Sequence, residues 1–402
     1  MEDFSPAERV QRIKSSPSVA AAARVRELRA EGRRILDLTV GEPDFDTPDH
    51  IKAAAIAAIT AGQTKYTSVS GTPELQQAIL GRLERHTGIS YAPNEITIGG
   101  GAKQVIFIAL MATLDAGDEV VIPSPYWVSY PDMVLANDGT PVIVACTEET
   151  GFKLTPAALR ESVTARTRWI ILNSPSNPTG AVYSRAELRA LAGVLAQFPH
   201  VGILCDEIYD EIYFGEGKMA SLVEVAPDLR ERIFLVNGVS KAYAMTGWRL
   251  GYGAGSAALV AAINKLQSQM SSCPSSVSQA AAAAALSGDQ AFVRESVEVY
   301  RGRRDAAVAG LNAVDGLGCT AADGAFYAYV NCAGVIGKTT PDGDIIATDE
   351  DFSLYLLNSS LVAVIHGSAY GLGPYFRISF ATGLDTVEEA VAAIDKAVRA
   401  LS

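Results

Sequence analysis

The chain has 402 residues, 49% of them hydrophobic, and 45 acidic against 33 basic side chains give a net charge of −12. This length exceeds one ordinary hydrophobic core, so two domains or one elaborate α/β unit are expected. An acidic balance argues against a nucleic-acid partner, no apolar run reaches membrane-spanning length, and the start MEDFSPAERV is unlike a secretory signal, so a cytoplasmic protein with no membrane partner is expected.

In chain order, a helix is expected over residues 20–30. Seven short apolar runs follow, at 95–98, 119–122, 142–145, 169–172, 201–205, 232–236 and 250–254. Most are separated by helical patterns, including 103–114 and 185–196, and a long helix is expected over 289–311 after the alanine-rich run 280–285. Strands alternating with helices predict a mainly parallel sheet covered on both faces.

Several motifs fall at the ends of these runs. After the first comes Gly99-Gly100-Gly101-Ala102-Lys103, a glycine turn opening a helix whose free amides suit an anion. It is neither a Walker loop nor a GxGxxG fingerprint. Trp127, after Ser124-Pro125, offers a flat face or a core side chain. Asn177, in the loop NSPSNPTG, is either a turn former or an amide donor aimed at a ligand oxygen. Asp206 closes an apolar run, the place where open α/β sheets put ligand groups, with Tyr209 one short turn on; a turn-capping aspartate is the alternative. Lys241 lies in the small-residue segment VNGVSKAYAMTGWRLGY, eight residues before Arg249. A lysine held partly out of water can condense with a carbonyl, and an arginine fork suits phosphate. Together they suggest pyridoxal 5′-phosphate. The later GYGAG at 251–255 reads as close backbone packing.

These residues, with VGEPDFDTP at 40–48, KYTSVSGTPELQQAI at 65–79, SPYWVSYPDM at 124–133 and SKAYAMTGWRLGY at 240–252, resemble the class I aminotransferases among the fold-type I pyridoxal-phosphate enzymes, in their bacterial aspartate aminotransferase branch. The resemblance implies an α/β fold: a large domain of 48–296 with a mainly parallel seven-stranded sheet sandwiched by helices, and a smaller discontinuous α+β domain of 1–47 and 297–402. It implies that Lys241 bonds to the cofactor and moves the substrate proton, and that Asp206 pairs with the pyridinium. Asn177 and Tyr209 hold the ring oxygen, and Trp127 stacks on the ring. Gly101, Ala102, Lys103, Ser240 and Arg249 hold the phosphate side. Arg377, in a strand-like segment at 375–380, grips the substrate α-carboxylate, Gly41 approaches the substrate, and Trp127 and Asn177 border it. Lys103 stands where that branch binds a second carboxylate. Tyr66 reaches the phosphate from a neighbouring subunit, which implies a homodimer with shared catalytic sites. The implied reaction is ping-pong transamination between aspartate and 2-oxoglutarate. Aromatic or prephenate transamination, or a lyase or synthase on the same fold, are the rivals.

The sequence departs from that pattern at Gly238, where some relatives carry a hydroxyl, leaving one phosphate contact missing or replaced by Ser240. His366 precedes Gly367 where many relatives have proline. It reads as a loop residue or a substrate contact. Residues 333–348 read as a polar solvent loop turning at Pro341-Asp342-Gly343. The five cysteines show no CxxC spacing and the four histidines lie far apart, so reduced thiols and no metal site are expected.

Overall fold

The computed structural model describes residues 5–14 and 17–402. Strand β1 (Leu36–Asp37) stands apart from the main sheet, which contains β2 (Ile96–Gly99), β3 (Glu119–Ser124), β4 (Thr140–Ala145), β5 (Thr167–Asn173), β6 (Gly202–Asp206), β7 (Ile233–Gly238) and β8 (Gly251–Ala254). All seven runs read from the sequence are strands, with ends moved by at most two residues. Their spatial order is β2-β8-β7-β6-β5-β3-β4. The pairs β3–β4, β3–β5, β5–β6 and β6–β7 are parallel, and β8 runs opposite to both of its neighbours.

Alternation along the central strands shows why the runs are apolar throughout. Ile170 and Leu172 of β5, Ile203 and Cys205 of β6, and Ile233 and Leu235 of β7 enter one core, beneath helices Asp49–Thr60, Pro73–Thr87, Arg185–Leu195 and Ser276–Ser287. Trp169, Ile171, Leu204, Phe234 and Val236 enter the other, beneath helices Ala102–Met111, Ser129–Ala136 and Ala257–Met270. A strand covered on both sides has no polar face, and each fully buried aliphatic or aromatic side chain contributes roughly 1.5–3 kcal/mol. Helix Pro73–Thr87 is bounded by local chemistry: Thr72 accepts from the Leu75 amide at 3.3 Å, Pro73 opens the first turn, and Gly88 closes it in the left-handed region at φ 72°.

A second core lies around β9 (Gly318–Cys319), β10 (Tyr327–Asn331), β11 (Val362–Ala363), β12 (Ile365–His366) and β13 (Tyr375–Ser379). Four of them form an antiparallel sheet in the order β12-β13-β10-β9, while β11 pairs in parallel with β1 and so ties the early chain to its last third. Helix Ala291–Asn312 passes between the cores: Val293 packs in the main-sheet core, and Val297, Tyr300 and Ala307 pack in the second.

The segment 333–348 departs from its reading as a solvent loop. Its turn at 341–343 is present, but Val335 and Ile346 are buried and Thr339 bridges Ile345, so two apolar anchors pin it to the second core. Among the described residues no helix is long and apolar enough to cross a membrane, and the five cysteines are unpaired.

Candidate active site

The parallel strands of the main sheet end along one edge, and a cavity of about 310 Å³ opens there. Of the residues singled out from the sequence, Gly41, Ala102, Lys103, Trp127, Asn177, Asp206, Tyr209, Ser240, Lys241, Arg249 and Arg377 line it. Gly101 lies directly behind Arg249, where a Cβ would collide with the guanidinium. Tyr66 stands outside, with 88% of its surface exposed on the single chain.

Lys241 and Arg249 belong to one loop, pinned at its ends by the pairing of Gly238 in β7 with Gly251 in β8. The Lys241 ammonium is surrounded by protein and donates to the Gly41 carbonyl. Burial pushes its pKa down to about 8 against the pull of Glu42, with Arg249 and Arg377 adding to the depression. The shift favours the neutral amine, the form able to act as nucleophile or base.

Asp206 ends β6 and is buried. The turn-capping reading of this residue holds, since Oδ1 accepts from the Ile208 amide at 3.2 Å; Oδ2 accepts from the Tyr130 hydroxyl at 2.6 Å, and the carboxylate borders the cavity. Burial raises the carboxyl to about 6, and these two donors only partly offset it. A buried carboxylate with hydrogen donors but no close cation is a place where a protonated ring nitrogen is stabilised.

Arg377, from β13, is buried; it donates to Asn177 Oδ1 at 3.1 Å and to the Thr39 carbonyl at 2.5 Å, and its Nε has no hydrogen-bond partner among the described residues. A guanidinium only donates, so the Asn177 oxygen faces Arg377 and its NH₂ is left for other acceptors. Asn177 itself is held by its amide, which donates to Asn173 Oδ1 at 2.8 Å. Tyr209 and Tyr327 share a hydrogen bond of 2.8 Å between their hydroxyls.

The anion side is built on the glycine turn. Gly101 has φ 100°, and helix Ala102–Met111 begins after it, so the amides of Ala102 and Lys103 have no carbonyl one turn back to accept them, while the Gln104 amide already donates to the Gly101 carbonyl at 3.0 Å. Arg249 crosses the turn, donating to the Gly100 carbonyl at 3.3 Å and the Thr246 carbonyl at 2.8 Å. A Cβ on Gly251 would strike the backbone of Gly101 and Ala102, so GYGAG is indeed a close-packing device. Gly238 is also closely packed: a Cβ there would stand 3.0 Å from the Leu250 carbonyl and 3.1 Å from the Gly251 Cα, so its neighbours would have to shift slightly to admit a side chain. The Lys103 ammonium lies 4.7 Å from the centre of the Trp127 ring, and burial, then Arg249, lowers its pKa.

The sequence reading missed Thr39, Tyr130, Asn173, Thr246 and Tyr327, which also line the cavity. Tyr130 carried a signal, standing three residues after Trp127 at the start of a helix. Tyr327 carried none, since its partners Tyr209 and Arg377 are 118 and 50 residues away in the chain. His366 lies at the end of β12, and its Nδ1 is 2.7 Å from the Ser368 hydroxyl.

Behind the Asp206 turn lies a second ionic cluster. Asp210 Oδ2 accepts from Arg82 at 2.5 Å and from the Asn237 amide at 2.9 Å, and His86 Nε2 lies 3.4 Å from both Asp210 and Glu207. His86, Glu207 and Asp210 bring three ligand-type atoms within 4.8 Å of one another. The guanidinium of Arg82 already supplies the positive charge a metal ion would bring.

The cavity therefore presents an anion cradle, an aromatic face, a buried carboxylate and a buried amine, a donor set that fits a flat phosphate-bearing pyridine. The family model for class I and II aminotransferases matches residues 33–394. The aspartate aminotransferase of Rhizobium meliloti (strain 1021) is 50% identical over 399 residues, covering 99% of this chain and 97% of that protein. The aspartate/prephenate aminotransferase of Cereibacter sphaeroides is 51% identical over 391 residues, covering 97% of this chain and 98% of that protein. The crystal structure of the Rhizobium meliloti aspartate aminotransferase superposes with a TM-score of 0.97 over 99% of this chain and all of that chain, at 50% identity. On this family match, carried by a cavity of matching chemistry, the chain belongs to the class I and II aminotransferases, enzymes that transfer amino groups with pyridoxal 5′-phosphate.

Proposed function

We propose that this aminotransferase exchanges the amino group of aspartate with 2-oxoglutarate by a ping-pong mechanism. Pyridoxal 5′-phosphate supplies a carbonyl that captures the amino group and a ring that accepts electrons from the breaking Cα–H bond. The chain does the rest. Arg249, Ser240 and the first-turn amides of Ala102 and Lys103 would hold the phosphate, Trp127 would cover the ring, and Asp206 would keep the ring nitrogen protonated. Asn177 and Tyr209 would donate to the ring oxygen, and Gly41 would let the backbone approach the substrate. Lys241 would be the base that takes the proton from the substrate Cα and later gives it back.

The observation that carries the substrate class is the pair of cations on separate elements of one cavity: buried Arg377, with an unused Nε, suits the α-carboxylate, and Lys103 is free of any carboxylate partner among its described contacts. Lys103→Ala is expected to lower kcat/KM for aspartate and glutamate by roughly tenfold or more and to leave alanine and phenylalanine much less affected. Equal losses for aspartate and phenylalanine, with weaker cofactor binding, sink the acidic-substrate reading. A relative named for both aspartate and prephenate favours prephenate as a second acceptor, and half-reaction rates with each 2-oxo acid decide it.

A homodimer with shared sites belongs to the same proposal. Tyr66 is exposed on the single chain, and Ile56 and Ile59 of helix Asp49–Thr60 are also exposed, at 64% and 56%. Exposed isoleucines on a helix that ends six residues before an exposed phenol suit a second copy that receives Tyr66 in its cavity. Mixed Tyr66 and Lys241 variants, each inactive alone, should then regain part of the activity. Absence of recovery after proven subunit exchange counts against shared sites. We also retain the division into 48–296 and 1–47 with 297–402, supported by the two cores that helix Ala291–Asn312 joins, and a cytoplasmic location, supported by the unpaired cysteines.

A further inference from the structure

Tyr327 opens β10, and the antiparallel register pairs Tyr329 with Arg377, so side chains two apart put Tyr327, Tyr329 and Arg377 on the same face of the second sheet. Tyr327 is almost wholly buried, yet it borders the cavity. Its ring lies under Arg377, 4.4 Å from the guanidinium carbon, and a second ring, Tyr370, lies 5.3 Å away. Its hydroxyl is 2.8 Å from that of Tyr209, and a Cβ on Gly41 would stand 3.1 Å from it. One side chain therefore touches the carboxylate arginine, the cofactor-facing phenol and the backbone whose carbonyl receives the Lys241 ammonium.

Counting hydrogens assigns the roles. Tyr209 has a single hydroxyl hydrogen. If that hydrogen points at the cofactor ring oxygen, the hydrogen in the gap between the two phenols must come from Tyr327, and the Tyr209 oxygen is the acceptor. The ring of Tyr327 meanwhile supplies Arg377 with a π face in a site where water is scarce, and a desolvated cation gains most from such a face. Phenylalanine keeps the second contact and removes the first.

We propose that Tyr327 is a positioning residue that carries Arg377 on its ring and fixes the hydroxyl of Tyr209 through its own O–H, so that one side chain sets both the grip on the substrate carboxylate and the hydrogen bond to the cofactor oxygen. This rests on the roles given to Arg377 and Tyr209 above.

The test uses the holoenzyme and two readouts besides turnover: the pH titration of the bound cofactor's visible absorbance, and the affinity for succinate, a dicarboxylate with no amino group to transfer. Y327F is expected to move the titration midpoint by about half a unit or more and to lower kcat several-fold, up to roughly tenfold, while succinate affinity stays within about twofold. Y327L is expected in addition to weaken succinate by roughly tenfold or more, because the π face is lost. R377A is the control. If it leaves succinate binding unchanged, the reading of the cavity fails. If R377A abolishes binding but Y327F titrates like the parent, the role of Tyr327 is overturned whatever Y327L does, and Y327F, which preserves volume, decides this even if Y327L does not fold. A lower melting temperature with an unmoved midpoint marks a purely structural tyrosine and also rejects the proposal.

Discussion

The turn from Asp206 to Asp210 separates two buried charge clusters. On its cavity side Asp206 is satisfied by neutral donors, the hydroxyl of Tyr130 and the amide of Ile208, and burial raises its carboxyl to about 6. Lys241 meets a neutral carbonyl, and burial lowers it to about 8. On the rear side Asp210 faces Arg82 and His86, Glu207 faces His86 and accepts from the Ser221 hydroxyl at 2.7 Å, and Glu211 lies 2.8 Å from Arg82. Rear charges face opposite charges, Arg82 and His86 against Glu207, Asp210 and Glu211. Front charges face mainly neutral protein groups and an open cavity. The difference shows how one turn serves two ends: opposite charges in contact fix its conformation at the rear, and groups shifted mainly by burial stay open to a ligand at the front.

The largest expected effect breaks the front. Lys241→Ala should cut turnover by about 10³-fold or more, since nucleophile and proton carrier are lost together. The cofactor-free variant should unfold at the parent's temperature or higher at pH 7, because a buried amine with a lowered pKa opposes folding while charged. A large drop in melting temperature would contradict the idea that front charges are held at a cost.

Next comes the rear. Arg82→Met leaves Asp210 buried without its main cation and should destabilise the fold by ~3–5 kcal/mol in denaturant unfolding. Turnover per folded molecule should stay within several-fold of the parent. Loss of activity without loss of stability would show that the clusters are not separable.

The smallest effect is a pH slope. His86 is raised above its ordinary 6.5 chiefly because the pull of Asp210, then of Glu207, outweighs the opposing burial and Arg82. Its protonated form favours the folded state, so this contribution is complete below pH 6.5 and lost as pH climbs through the raised value. Tyr91, Tyr243, Tyr252, Arg85 and Lys218 also surround the cluster, but the phenols are raised by burial and stay neutral in this window. His86→Gln should be less stable in mild acid and should flatten the decline of melting temperature above pH 6.5. Glu211 is raised by burial and Asp210 against the pull of Arg82 and His86, so losing His86 raises it further. An unchanged slope in the alkaline arm would place the titration elsewhere.

The front cluster was more legible in the sequence than the rear. Asp206, Asn177 and Lys241 sit at or just beyond the ends of apolar runs, and a buried parallel strand announces itself by having no polar face. Sheet geometry then brings such ends to one edge. His86 and Asp210 offered no such signal, because helix Pro73–Thr87 and the Asp206 turn meet only through tertiary packing. Scattered histidines suggested no cluster, yet one of them lies at the centre of one. Trp127 remained either cofactor face or core in the sequence; it is half-buried, borders the cavity and packs edge-on to Tyr130 at 5.3 Å. The segment 333–348 looked polar because few of its side chains anchor it, Val335 and Ile346 with Ile336 packed beside them, too few for a period to emerge.

The reversal of β8 has a consequence for how this enzyme acquires its chemistry during folding. Parallel neighbours require a long crossover, whereas an antiparallel strand can return after a short loop. Residues 238–251 are such a return, closed by Gly238 against Gly251, with Lys241 and Arg249 both inside it. The entropy of closing so short a segment is modest, and contacts close in sequence form early compared with the distant parallel pairings. Lys241 and Arg249 are therefore registered to each other by a local connection between neighbouring strands, one that involves no pairing with the second sheet.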